Sequence, residues 1–127
     1  MNELGTIETP IILTNTLCVG TAVDAVVRFT LAIDGSLDIR SVNALVGVTI
    51  DGYLNDIRGL HIKPEHVWQA INHSASGPVV EGNVGAGTGT RGYGWKGGIG
   101  TSSRVPPESL GGYTVGVLVQ TNYGGIL

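Results

Sequence analysis

The first apolar run, Ile11-Ile12-Leu13, follows Pro10 and enters a polar Thr14-Asn15-Thr16 corner, the profile of a short β segment. Beyond it Ala22, Val26, Phe29 and Ile33 recur at helical spacing, and Val23, Val27 and Thr30 widen that apolar surface. Thr21 followed by Asp24 fits a loose capping box, so a helix packed between layers is expected from there to the turn at Asp34-Gly35. Residues Ala44 to Ile50 are almost continuously apolar, which at this length favours a strand buried on both faces. Asp51-Gly52 and Asn55-Asp56 carry turn chemistry, and Gly59 tolerates positive φ. Pro64 suits a first helical turn; Val67, Ala70 and Ile71 then share a face of a second helix, which Ser76-Gly77-Pro78 ends.

The second half reads differently. Every second or third residue from Gly82 to Gly94 is glycine, so no regular element is expected there. Two strands follow, about Trp95 to Val105 and Tyr113 to Asn122, joined through Pro106-Pro107 and Gly111-Gly112 as an antiparallel hairpin with a long loop. Strands and helices in this order predict an α/β (α+β layered) arrangement, read as a single partial domain over residues 1–127. No period of 20 to 50 residues marks a repeat protein.

Charge changes the picture more than length does. Charged residues make up 13% of the 127, against roughly 25% in an average domain. Hydrophobic residues make up 42%, which argues against disorder. Seven Lys and Arg against ten Asp and Glu give a formal net charge of -3, which argues against nucleic acid as a partner. No stretch approaches the ~20 apolar residues of a membrane span, and Met1 to Gly5 has no signal-peptide character, so a cytoplasmic setting away from membranes is expected. The ending, Gly124-Gly125-Ile126-Leu127 directly after an apolar strand, suggests a piece of something longer.

Motifs for chemistry are weak one by one. Gly87-Thr88-Gly89-Thr90-Arg91-Gly92 matches a dinucleotide string, yet no helix can start at Tyr93-Gly94-Trp95, so a tight loop with close backbone approach is the better reading. Gly100-Thr101-Ser102-Ser103-Arg104 breaks the nucleophile elbow, because Arg104 stands where a glycine belongs. His61, His66 and His73 lack zinc-ligand spacing, and no metal or other cofactor is implied. Cys18 is the sole cysteine and reads as a small buried hydrophobe.

Taken together, five blocks are far more specific. They are Thr9-Pro10-Ile11-Ile12-Leu13-Thr14-Asn15 running to Gly20, Asp51-Gly52-Tyr53-Leu54-Asn55-Asp56 running to Gly59, and Glu81-Gly82-Asn83-Val84-Gly85 running to Gly89. Lys96-Gly97-Gly98-Ile99-Gly100-Thr101 running to Arg104 and Tyr113 to Gly124, with Gln120-Thr121-Asn122-Tyr123-Gly124 at its end, complete the set. In this order they resemble the DmpA-like L-aminopeptidase/D-esterase family, which includes the β-aminopeptidases. The resemblance covers residues 8 to 125 or so.

The resemblance implies a portion of a four-layer αββα sandwich and an N-terminal-nucleophile hydrolase that cleaves its own precursor. The serine so freed attacks the substrate, and its α-amino group, with a free pKa of about 8, serves as general base. The implied substrate is a small peptide or an amino-acid amide or ester. By the same resemblance Asn122 is the catalytic oxyanion stabiliser. Val48 and Ile50 occupy the substrate-pocket positions where the family often has a carboxylate and a polar or aromatic residue. The serine nucleophile is not in this chain, so the implied partners are the missing C-terminal β segment and further copies in a homo-oligomer, and the chain alone is expected to be inactive. Two alternatives stay open: a non-catalytic binding or assembly subunit of the same fold, which apolar Val48 and Ile50 favour, and an enzyme like the ornithine acetyltransferases.

Overall fold

Asn15 sets where the first helix begins. Its side chain accepts a hydrogen bond from Cys18 N at 3.0 Å and closes a single 3₁₀ turn, Thr16–Cys18. That turn runs directly into helix α1, Val19–Leu31. The helix therefore starts two residues before the expected capping box, and Thr21 already lies inside it. Asp24 pairs instead with Arg28 one turn on, at 2.7 Å. The computed structural model describes residues 7–33 and 38–125, so the expected turn at Asp34-Gly35 lies outside the described residues. The chain divides into two compact units, Met1–Thr49 with Asp56–Ser76, and Ile50–Asn55 with Gly77–Leu127.

In the first unit, strand β1, Ile11–Asn15, pairs in parallel with β2, Leu45–Thr49, in the register Ile11 to Leu45 and Asn15 to Thr49. Parallel neighbours need a crossover, and α1 provides it. Helix α2, Pro64–Asn72, packs on α1. Pro64 takes the first helical position as expected, and His66 Nδ1 accepts from Lys63 N at 3.2 Å to satisfy a backbone donor ahead of it.

Ala22, Ala25, Val26 and Val67 form the core, with Ile12, Val46, Trp68 and Ile71 against it. Full burial of Val26 alone is worth about 1.5–3 kcal/mol. Trp68 Nε1 donates to Ala25 O at 3.0 Å, tying α2 to α1 through a polar contact at the edge of that core. Cys18 is buried, as its apolar neighbours suggested.

Two expectations fail here. Val23 and Ala70 face outward while Ala25 is fully buried: the buried stripe of α1 is Ala22, Ala25 and Val26, at i, i+3 and i+4, which leaves Val23 beside it, and on α2 the buried position is Val67. Strand β2 is not buried on both faces: Val46 packs on the helical core, whereas Leu45 on the opposite face is 42% exposed, and Val48, on the same face as Val46, is itself 46% exposed. A two-stranded sheet covered by helices on one side leaves its other side open.

In the second unit, β5, Ile99–Arg104, and β6, Val115–Gln120, form the expected antiparallel hairpin, registered from Ile99 with Gln120 to Arg104 with Val115. Before it, β3, Arg91–Gly92, and β4, Trp95–Lys96, make a two-residue hairpin. Tyr93 and Gly94 both adopt positive φ, 52° and 85°, as a tight turn with two left-handed central residues requires. Regular structure thus reaches into the glycine-rich stretch.

The strand expected from Trp95 to Val105 is broken at Gly97-Gly98. A Cβ at Gly97 would lie 2.7 Å from Thr121 O, and one at Gly98 2.8 Å from Gly82 C. Backbone packs on backbone here, so the glycines are required by contact. Among the described residues no helix is long and apolar enough to cross a membrane.

Candidate active site

Asn122 directly follows the residue after β6, and the chain is pinned on both sides of it. Thr121 donates from N and Oγ1 to Gly98 O, at 3.0 and 3.1 Å. Tyr123 N donates to Arg91 O at 3.2 Å, and Tyr93 N donates to Tyr123 O at 2.8 Å. The Tyr93 and Tyr123 rings stack at a tilt, centroids 5.4 Å apart.

With its backbone held, the Asn122 side chain makes a two-point pairing with the main chain of Ile50. Oδ1 accepts from Ile50 N at 2.9 Å, and Nδ2 donates to Ile50 O at 3.0 Å. The first bond fixes which end of the amide is the oxygen, and so where its donors point. Among the described residues the second Nδ2 proton has only Arg91 O, at 3.4 Å, a weak contact by hydrogen-bond standards.

A hollow of about 450 Å³ is lined by Ile50, Arg91, Gly94, Asn122, Tyr123 and Gly124. The structure therefore brings Asn122 and Ile50 together. The contribution of Ile50 to that pairing comes from its main chain, while its side chain stays apolar and 65% exposed. Val48 belongs to the other unit, opposite Thr14 in the β1–β2 register, and takes no part in the hydrogen bonds of Asn122.

Sequence reading missed Arg91 and Tyr53. The Arg91 guanidinium lies 3.8 Å above the centre of the Tyr53 ring, a cation–π contact. One residue sits in the Asp51-Gly52 turn and the other in the glycine string, and no local spacing links them. The nearest signal was a lone cation inside a stretch otherwise made of glycine, threonine and tyrosine.

The remaining candidates have structural roles. Gly87 lies where a Cβ would meet the Gly98 backbone at 3.0 Å, and Lys96 Nζ donates to Gly87 O at 3.0 Å and Gly97 O at 2.6 Å. The dinucleotide-like string is thus the tight loop its sequence context favoured. Glu81 accepts from Thr101 N at 2.7 Å and from the Thr101 hydroxyl, first the hydroxyl and then the amide holding its carboxyl below the usual range. His61 Nε2 contacts Asp56 Oδ2 at 3.0 Å, and His73 Nδ1 contacts Gln69 O at 2.8 Å.

A family model for peptidase family S58 matches residues 1–126. The chain is 49% identical over 128 residues to the beta-peptidyl aminopeptidase BapA of Sphingosinicella microcystinivorans, covering 98% of this chain and 31% of that protein. A solved protein of Pyrococcus horikoshii OT3 is 50% identical with a TM-score of 0.83, over 96% of this chain and 35% of its own. The L-aminopeptidase D-Ala-esterase/amidase of Ochrobactrum anthropi, described as a prototype for the serine aminopeptidases and a new variant of the Ntn hydrolase fold, is 43% identical. Its TM-score is 0.77, over 88% of this chain and 32% of its own. The expected α/β layered fold is therefore shared with solved relatives, and the chain spans about a third of their length.

Proposed function

The chain belongs to peptidase family S58, a hydrolase family, and from that premise we propose that it supplies the oxyanion-stabilising part of a serine aminopeptidase or amidase. In this reading the whole protein releases N-terminal amino acids from peptides, amides or esters. A further segment carries the nucleophilic serine, freed by self-cleavage, in keeping with the 31% share of the relative's length that this chain spans. Processed protomers assemble as a homo-oligomer in the cytoplasm.

The observation that carries the reading is the Asn122–Ile50 pairing at the edge of the hollow. Attack on an amide places negative charge on the carbonyl oxygen, and a neutral donor already aimed at that position stabilises it without reorganising. Ile50 fixes the orientation of the Asn122 amide. The Nδ2 proton facing Arg91 O at 3.4 Å is the one that a developing oxyanion can take over. The Ile50 side chain serves as apolar wall of the hollow, and neither Ile50 nor Val48 offers an acid or hydroxyl group. Recognition of the substrate's amino group is then assigned to groups outside these two positions.

The test is hydrolysis of L-alanyl-p-nitroanilide and β-alanyl-p-nitroanilide by the native protein, with the processed chains resolved by mass spectrometry. Release of p-nitroaniline together with a new N-terminal serine supports the reading. An unprocessed, inactive protein favours the non-catalytic assembly subunit.

A further inference from the structure

Arg91 has more hydrogen-bonding capacity than its surroundings use. A guanidinium carries five N–H donors in one plane. Among the described residues its side chain makes one hydrogen bond, Nη2 to Gly94 O at 3.5 Å, at the outer limit of such a contact, and no carboxylate pairs with it. Tyr53 occupies a face of the guanidinium, not its edge. Stacking therefore holds the plane while leaving in-plane donors available, and less side-chain entropy is lost when a planar anion binds.

The location narrows what that anion is. Arg91 lines the same hollow as Asn122, and the other lining residues, Ile50, Gly94, Tyr123 and Gly124, bring no negative charge. At about 450 Å³ the hollow falls within the range of sites for small ligands. A carboxylate matches the guanidinium fork through two parallel N–H···O bonds.

We infer that Arg91, laid over Tyr53, is a specificity-determining residue that receives a carboxylate of the substrate. This rests on the aminopeptidase reading and adds a substrate class to it. The carboxylate has two possible sources, the free C-terminus of a dipeptide and an acidic side chain next to the scissile bond.

Three probes separate them in the native protein: β-alanyl-L-alanine, its C-terminal amide, and β-alanyl-L-aspartic acid α-amide, with the L-alanyl counterparts run in parallel. At least one carboxylate-bearing probe is expected to exceed the neutral amide in kcat/KM by about 10- to 100-fold, the range for a charged hydrogen bond. Which one does so identifies the source. Arg91→Met should collapse that ratio toward one.

Equal kcat/KM for all three probes in the wild type, or a ratio unchanged in Arg91→Met, overturns the inference while leaving the aminopeptidase reading intact. No hydrolysis of any probe overturns that reading and the inference with it. If circular dichroism shows Arg91→Met to be unfolded, Arg91→Lys decides, since it keeps the charge but loses the planar fork. A fall in the ratio of about threefold or more then supports the inference, and an unaltered ratio overturns it.

Discussion

The side-chain amide of Asn122 pairs with the backbone of Ile50 as one β-strand residue pairs with another, giving one hydrogen bond and taking one, at 3.0 and 2.9 Å. The two residues are 72 positions apart. Such a pairing orients the amide from both ends, which an asparagine that merely ends a strand does not require.

Replacing Asn122 separates orientation from donation. Asn122→Ala removes the donor and is expected to lower p-nitroanilide hydrolysis by on the order of a hundredfold, as for loss of one oxyanion-hole donor. Asn122→Asp keeps the acceptor for Ile50 N but turns a carboxylate oxygen toward Ile50 O and Arg91 O. It should be at least as inactive as the alanine variant and should melt lower than it. Steady-state kinetics and thermal melts on both variants test this, and wild-type turnover by either would remove Asn122 from the mechanism.

The close approach at Gly98 predicts a sharp difference between neighbouring glycines. Gly98→Ala would place a Cβ 2.8 Å from Gly82 C, and neither backbone can move without breaking the Gly82–Ile99 bridge. A cost of about 1–3 kcal/mol or more is expected, as for overpacking. Gly100→Ala meets nothing within 4 Å and should stay within about 1 kcal/mol of wild type, on the stabilising side. Urea midpoints of the two variants check the contrast.

Helix α1 offers a similar pair. Val26 is 0% exposed and Val23 37%, although both are valines on the same helix. Val26→Ala should cost on the order of 2 kcal/mol through lost burial and a residual cavity. Val23→Ala should change stability by no more than about 0.5 kcal/mol, the usual range for a surface site. Equal melting temperatures for the two variants would contradict the packing described for α1.

Glu81 gives stability a pH dependence of known sign. Hydrogen bonds from the Thr101 hydroxyl and amide lower its pKa in the folded state. Its contribution is therefore fully present above the ordinary carboxylate pKa of about 4.3 and is lost as pH falls through the lower, folded value. Thr101→Val deletes the hydroxyl. Its melting temperature should lie below wild type at pH 6 to 7, and the gap should narrow as the pH is taken down toward 3. A gap that widens on acidification would contradict the assignment.

Much of this was legible in residue order. The Ile11-Ile12-Leu13 run, the helix through Ala22 and Val26, Pro64 at the head of α2, and the hairpin of β5 and β6 all follow from local spacing and turn chemistry. The placement of Asn122 as a site residue came from a resemblance across five blocks, since an asparagine after a strand carries little information alone. Local pattern was misleading in two places, once through an overlooked local cap and once through partners distant in sequence. Asn15, through its cap, moved the start of α1 ahead of Thr21, and the Gly82 and Thr121 backbones broke the strand at Gly97-Gly98.

By itself the sequence determined β1, the two helices and the β5–β6 hairpin, because periodicity and turn chemistry act over a few residues, while the family came from the order of five blocks rather than from any one spacing. Tertiary structure alone decided that Ile50 works through its backbone on Asn122, and that Arg91 lies over Tyr53. Those contacts join residues tens of positions apart, and their hydrogen bonds and stacking require distances and angles that only the folded chain supplies.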